Sequence, residues 1–435
     1  MRLFIFLNLL IPSVLFGQNY TSYFTGNTND ILTNPTGGIC LMGGAGEDDQ
    51  AMKWFLQNAN GGDILVLRTT GSDGYNNYLY STLGITVNSV ETIVCHNAEA
   101  SDDPYVLQKI EQAEAIWFAG GDQWDYISYW RDTPIDSLIN LSIVERNIVI
   151  GGLSAGMAIQ GKYYYSAENG SVTSATALAN PFHYMVTVDS ALFIQNSSLN
   201  DVITDTHFDN PDRRGRLMTF LARIYTDYGI FGKAIACDEY TAVCIETDGI
   251  AKVYGGYPTY NDNAYFVQTN CELSSQAPEV CISSTPLTWN LGGVAIKVFR
   301  VKGSSTGSNT FNLNDWETGI GGQWLDWSVN NGVFSEQNGN IIDCGPQSVN
   351  GKTRAVFSVF PNPTSGKMTL WLSEEKPSNY QIHVYNSLGQ HYNLPAGKAE
   401  ENRIEVDLSQ FPNGLYYLTI QTDKGIKYGR MIVKI

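Results

Sequence analysis

The chain has 435 residues, 43% of them hydrophobic, and a formal net charge of −17, which is length and apolar content enough for two or three domains. The acidity argues against nucleic acid or an anionic membrane surface as partner. Seven cysteines in so long a chain do not make a disulfide scaffold, and no Cys/His spacing suggests zinc.

Residues 1–18 read as a secretory signal peptide: Arg2, an apolar run through Phe16, and the small Gly17 near the expected cleavage point. The run is too short for a confident membrane span, and no other segment is apolar enough to cross a bilayer. The mature chain is therefore expected to be exported and soluble. From about 37 to 250, short apolar runs alternate with amphipathic stretches. Ile39-Cys40-Leu41-Met42 reads as a strand ending in Gly43-Gly44-Ala45-Gly46, and residues 47–58 follow as a helix with Met52, Phe55 and Leu56 on one face. Further buried strands are expected at 64–67, 93–95 and 116–119. This alternation predicts a mainly parallel sheet covered on both faces, with sites at the C-terminal strand ends. Gly120-Gly121-Asp122-Gln123 occupies one such end.

The next end carries the strongest signal. Asn147-Ile148-Val149-Ile150 runs into Gly151-Gly152-Leu153-Ser154-Ala155-Gly156, a strand, a glycine-pinched turn and a helix start. This is the G-x-S-x-G arrangement of a nucleophile elbow, with Ser154 at its apex. The following helix aims backbone N–H groups at the same spot. A bare G-x-S-x-G is common, so the serine needs a base and an orienting carboxylate. Of five histidines, His383 and His391 lie in the C-terminal segment, His96 follows a strand and His183 lies in a loop. His207 in Asp205-Thr206-His207-Phe208, just before Arg213-Arg214-Gly215-Arg216, is the best base. Glu239, set between the apolar runs 234–236 and 242–245, is the best third member, because a carboxylate there needs a partner. Glu168 is the alternative. The order Ser–His–Glu differs from the Ser–acid–His of α/β-hydrolases.

Residues 256–355 are richer in Tyr, Asn, Gly and Ser and read as a β-rich extension of the first domain. Trp316, Trp324 and Trp327 fall close together there; packing is their expected role, and a ligand surface is the alternative. Cys271 and Cys281 could close a short loop. Residues 356–435 read as a small β-sandwich with eight Lys/Arg against seven Asp/Glu, so the acidity lies upstream.

These residues together resemble the cyanophycinase and aspartyl dipeptidase group of serine peptidases (family S51). The resemblance rests on Gly152-Leu153-Ser154-Ala155-Gly156, Gly120-Gly121-Asp122-Gln123, Asp205-x-His207-Phe208 with Arg213, Gly215, Arg216 and Leu217, and Asp238-Glu239-Tyr240-Thr241-Ala242, in family order over about residues 35–255. It implies a flavodoxin-like α/β fold related to class I glutamine amidotransferases. It also implies Ser154 as nucleophile, His207 as base and Glu239 as its orienter, with backbone N–H groups near Gly121 and at Ala155 as the oxyanion hole. Gln123, Asp205, Arg213 and Arg216 match substrate-pocket positions. Thr206 stands where the family has glutamine, and Pro211 where it has an arginine, which puts cleavage of the β-aspartyl-arginine polymer in doubt; Arg214 is the residue that could compensate. The last 80 residues resemble the type A sorting domain of the type IX secretion system of Bacteroidetes, through Pro361-Asn362-Pro363, Asn386-Ser387-Leu388-Gly389-Gln390, Pro412-Asn413-Gly414-Leu415-Tyr416 and Lys434-Ile435.

The chain is thus expected to divide into a signal peptide (1–18), a catalytic α/β domain (19–255), its β-rich extension (256–355) and a sorting domain (356–435). The expected protein is secreted or held at the cell surface, needs no cofactor and no metal, and hydrolyses β-aspartyl or aspartyl peptide bonds in a peptide or polymer. The secretion machinery is an expected partner, and a homodimer is allowed for. An esterase or amidase acting on another small substrate is the first rival, and a surface binding protein without catalysis the second.

Overall fold

Apolar runs separated by amphipathic stretches become the strands β1 (Tyr20–Gly26), β2 (Ile39–Met42), β3 (Asp63–Arg68), β4 (Ser89–Cys95), β5 (Ala115–Phe118) and β6 (Val149–Leu153). In the computed structural model, which describes residues 18–190 and 193–344, β2 to β6 are all parallel, in the spatial order β4-β3-β5-β6-β2. Of the C-terminal part it describes 357–360, 364–372, 380–386, 391–393, 399–400, 403–422 and 427–434. Counted from β3, the order is 2-1-3-4, the doubly wound flavodoxin-like arrangement, and β2 takes the place of a fifth strand. The expected signal peptide falls almost wholly on residues 1–17, which lie outside the described residues, as do Pro361–Pro363, Ser387–Gln390 and Ile435 of the sorting motifs.

Helices cover both faces because both faces of these strands are apolar. Helix α1 (Asp49–Asn58) starts where the Asp48 side chain accepts from the Gln50 and Ala51 N–H groups, and it packs Met52, Phe55 and Leu56 with Val66 and Trp117. Helices α2 (Pro104–Gln112), α3 (Gln123–Trp130) and α4 (Pro134–Arg146) send Val106, Ile110, Tyr126, Ile127, Trp130, Ile135 and Ile139 into a cluster with Leu65, Ile116 and Phe118. Each such side chain contributes about 1.5–3 kcal/mol by leaving water.

The second half of the first unit adds β7 (Val202–Asp205), a helix over Arg214–Tyr228, β8 (Lys233–Cys237), β9 (Thr241–Ile245), β10 (Ile250–Gly255), β11 (Asn263–Thr269), β12 (Ile296–Lys302), β13 (Asn309–Asn312), β14 (Gly319–Ile320), β15 (Gly322–Asn330) and β16 (Val333–Asn338). Among the described residues they complete a ten-stranded sheet, β1-β4-β3-β5-β6-β2-β9-β10-β13-β14, and build a six-stranded one, β16-β15-β12-β11-β8-β7. Residues 256–344 thus feed both sheets. The chain crosses from one sheet to the other between Cys237 and Thr241, and that crossing matters below.

The three tryptophans are buried: Trp316 and Trp324 join the cluster of Phe266, Phe299 and Phe311, and Trp327 packs on Phe208 and Tyr265. A ligand surface built on them is therefore ruled out, because their rings are spent on the core. The short Cys271–Cys281 bridge is also corrected. Cys271 bonds to Cys344, whose Cα lies 5.4 Å away, while Cys281 is buried in another cluster. Closeness in sequence does not bring two side chains together when the turns between them carry one into a different cluster.

Compactness divides the chain at Cys344/Gly345. The second unit pairs Phe357–Phe360 and Lys367–Leu372 with Arg403–Asp407 and Ala399–Glu400 in one antiparallel sheet, and builds another from His391–Asn393, Tyr380–Asn386, Gly414–Thr422 and Lys427–Lys434. Met368, Leu370, Ile382, Val384, Ile404, Leu418 and Ile432 form its core.

Candidate active site

Strand β6 ends at Leu153, and the helix α5 (Ala155–Ala158) begins two residues later. Ser154 between them has φ +54 and ψ −114, a conformation that L side chains rarely adopt. The surrounding structure imposes it: the Ser154 N–H donates to Met42 O at the end of β2, and the Met157 and Ala158 N–H groups donate to Ser154 O. The flanking glycines are required by contact. A Cβ on Gly152 would sit 2.4 Å from the Gly156 carbonyl carbon, and one on Gly156 would sit 2.1 Å from Phe118 O.

His207 follows β7 and also has positive φ, +44. Its N–H donates to Gly43 O, and its ring lies against Gly44, where a Cβ would fall 2.2–2.7 Å from the imidazole. Gly44 therefore seats the histidine, a role the sequence signalled only as a Gly-Gly pair after a strand. Glu239 sits on the sheet-to-sheet crossing, its backbone N–H donating to Asp209 Oδ1 at 3.0 Å. The next residue, Tyr240, has φ +57 and donates its N–H to Gly44 O. One loop after β2 thus grips both the histidine and the glutamate segments.

The side chains line up. Ser154 Oγ lies 2.8 Å from His207 Nε2, and His207 Nδ1 lies 2.7 Å from Glu239 Oε1. His207 and Glu239 keep 25% and 19% of their side chains exposed, so a solute can reach the relay. Asn210 Nδ2 approaches Glu239 Oε2 at 3.5 Å. With the Nδ1 proton donated to the carboxylate, Nε2 is left as acceptor for the serine proton. Among the described residues Glu168 makes no such contact; its backbone N–H points to Ser166 Oγ.

The other sequence-predicted residues gather around Tyr165. Gln123, the first residue of α3, reaches Tyr165 O with Nε2 at 3.4 Å. Asp205 and Arg216 are both buried and form a two-pronged ion pair, Arg216 Nε to Asp205 Oδ2 at 3.0 Å and Arg216 Nη2 to Asp205 Oδ1, with the guanidinium over the Tyr165 ring. Arg213 donates to Thr206 O at 2.8 Å and makes no ion pair among the described residues; burial, with Arg216 beside it, holds its guanidinium below the ordinary value. Arg214 turns elsewhere, to Asp212 and Glu336, over the Phe334 ring. Gly120 and Gly121 come down beside the elbow, with a Cβ on Gly120 falling 3.8 Å from Ser154 Cβ. Ala155 opens α5 directly after the serine.

Next to Glu239, Asp238 is buried; its Oδ2 accepts from the Asn263 backbone and side chain and from Tyr265, while its Oδ1 finds no hydrogen-bond partner among the described residues. Burial, with Asp209 and Asp262 nearby, pushes this carboxyl up to about 7. Among the described residues no group of His, Cys, Asp and Glu is arranged to hold a metal ion, and no helix is long and apolar enough to cross a membrane.

Two segments of the chain match known families. Residues 71–253 match the model of peptidase family S51, and residues 358–434 match that of a secretion system C-terminal sorting domain. The sorting segment marks the chain for type IX secretion, to the cell surface or beyond. A cyanophycinase of Trichormus variabilis is 28% identical over 182 residues, 42% of this chain and 56% of that protein; one of Geminocystis herdmanii is 28% identical over 245 residues, 53% and 83%. The chain therefore spans only a little over half the length of the Trichormus relative. Among solved structures, a peptidase from an acI-B1 Actinobacterium covers 54% of this chain and 91% of its own at 16% identity and a TM-score of 0.40. A putative peptidase E protein of Listeria monocytogenes covers 51% and 98%, at 16% identity and a TM-score of 0.34.

Proposed function

We propose that this chain, with its peptidase family S51 segment and its sorting segment, is an exported serine peptidase that hydrolyses β-aspartyl or aspartyl peptide bonds. The observation that carries the reading is the unbroken relay Ser154–His207–Glu239, with separations of 2.8 and 2.7 Å, on a strained elbow. His207 takes the Ser154 proton as Oγ attacks the amide carbonyl. The Ala155 N–H, with one near Gly121, receives the developing oxyanion. The imidazolium, held by Glu239, then protonates the leaving amine, and water hydrolyses the acyl-enzyme by the same route.

The substrate class follows from charge. Asp205 and Arg216 neutralise each other, so of these two arginines Arg213 is the one left for a substrate carboxylate, and Gln123 supplies an amide at Tyr165. A guanidinium that makes no ion pair among the described residues and is bonded to the carbonyl just before His207 suits an aspartyl residue whose second carboxyl group is not in the scissile bond. The relatives named cyanophycinase support trying cyanophycin first. Thr206 and Pro211 favour a shorter peptide as the working alternative.

Two measurements on the mature chain and its Ser154→Ala variant test this. A fluorophosphonate probe should label the wild type and not the variant; a folded wild type that takes no label would overturn the serine mechanism. Chromatography should find β-aspartyl-arginine released from cyanophycin by the wild type alone. Labelling without release, and with cleavage of short β-aspartyl peptides instead, would keep the mechanism and replace the polymer.

A further inference from the structure

Strands β2 and β9 both lead straight out of the active site, β2 into Gly43-Gly44 and β9 away from Glu239-Tyr240. They are antiparallel partners, with Cys244 opposite Cys40. Gly43 N–H donates to Thr241 O at 3.0 Å, which makes Gly43 and Thr241 a hydrogen-bonded pair. Pairs alternate along an antiparallel ladder, so Leu41/Val243 is hydrogen-bonded and Cys40/Cys244 is not. In a non-hydrogen-bonded pair the Cα atoms are about 4.5 Å apart and the side chains lean together, a separation within the range that a disulfide spans. The two sulfurs are already in contact at 3.6 Å, on one face of the sheet and fully buried.

The surroundings favour oxidation. The sorting segment takes this chain out of the cell, where thiols are not kept reduced, and the same unit already holds the Cys271–Cys344 disulfide. Cys95, Cys237 and Cys281 are buried too, and none of them forms a close sulfur pair among the described residues.

We propose that Cys40 and Cys244 are a disulfide site: in the exported protein they join across β2 and β9 and tie together the two segments that seat His207 and Glu239. Because both sulfurs are buried, the bond forms during folding, by exchange with a disulfide donor of the exported compartment. One cysteine thiolate attacks the donor's S–S bond and gives a mixed disulfide. The second displaces the donor's remaining sulfur, so two protons leave the pair and the donor departs as two thiols. The bond closes a loop across a sequence separation of 204, and so long a closure strongly restricts the unfolded chain.

The test is a peptide map of the full chain refolded in a redox buffer of oxidised and reduced glutathione, then denatured in alkylating reagent without reductant. The expected map contains a Cys40–Cys244 linked peptide beside Cys271–Cys344, with Cys95, Cys237 and Cys281 alkylated. Alkylated Cys40 and Cys244 would overturn the proposal. For the bracing role, Cys244→Ala should melt about 5 °C or more below the oxidised wild type, and wild type refolded with excess reductant should lose at least as much. Equal melting of the oxidised wild type and Cys244→Ala would overturn that role.

Discussion

The two sheets of the first unit hold the site in different ways. The ten-stranded sheet delivers Ser154 through a single continuous segment, strand, glycine turn and helix, held in place by Met42 O and pressed against Phe118 O of neighbouring strands in the same sheet. The six-stranded sheet delivers His207 from the end of β7 and Glu239 from the end of β8, and neither is in place until the chain crosses back at Thr241 to pair with β2. The nucleophile is thus a local device and its activating pair a product of assembly. A local device is damaged by changing its own residues; an assembled one can also be damaged from the sheet opposite.

The largest effect expected is on the relay itself. Ser154→Ala and His207→Ala should each lower kcat by roughly 10³-fold or more with little change in melting temperature, and Glu239→Gln should cost roughly 10²–10⁴-fold. Steady-state kinetics and a melting curve on each variant decide this; near-normal turnover in either of the first two would remove the triad.

Next comes the contrast between two neighbouring arginines. Asp205→Asn leaves the buried Arg216 without its partner and should cost about 3–5 kcal/mol, read as a lowered midpoint in denaturant. Arg213→Ala should leave the midpoint within about 1 kcal/mol and raise KM for acidic peptides, while sparing a small activated ester. Equal losses on both substrates would make Arg213 a structural residue.

A third change reaches the activating pair from the other sheet. Gly44→Ala places a methyl group against the His207 ring and forbids the glycine's φ of +139. Fluorophosphonate labelling of Ser154 should slow at least tenfold while the far-ultraviolet spectrum persists. Unchanged labelling would mean that Gly44 does not seat the histidine.

The smallest expected effect concerns pH. Asp238, beside Glu239, has a folded-state value of about 7, far above the ordinary carboxylate value. Between about pH 4 and 7 the native state then holds a proton that the unfolded chain has released, so stability falls as pH rises through that window and the penalty is complete above about 7. It amounts to a few kcal/mol at most, on the order of its pKa shift. Asp238→Asn should therefore gain melting temperature relative to wild type at pH 8 compared with pH 5; a pH-independent difference would show that Asp238 titrates normally.

Much of this was legible from residue order, because the information was local. Apolar runs spaced by amphipathic stretches specify buried parallel strands and covering helices, and Gly152-x-Ser154-x-Gly156 specifies a turn in which, at 2.1–2.4 Å, no side chain fits. His207 stands out among five histidines by elimination and by the basic run that follows it, and Glu239 among many carboxylates because a carboxylate set between apolar runs needs a partner. The seat that Gly44 makes for the imidazole, the crossing between sheets at Asp238–Tyr240, and the Cys271–Cys344 pairing were decided only in three dimensions. So was the choice between Arg213 and Arg216. Both stand in one short basic run, yet one guanidinium is neutralised by Asp205 and the other is not, because β7 carries Asp205 past only one of them. Periodicity and turn chemistry act over a few residues and can be read along a chain; ion pairs and ring contacts join residues far apart, and the fold alone determines which of them meet.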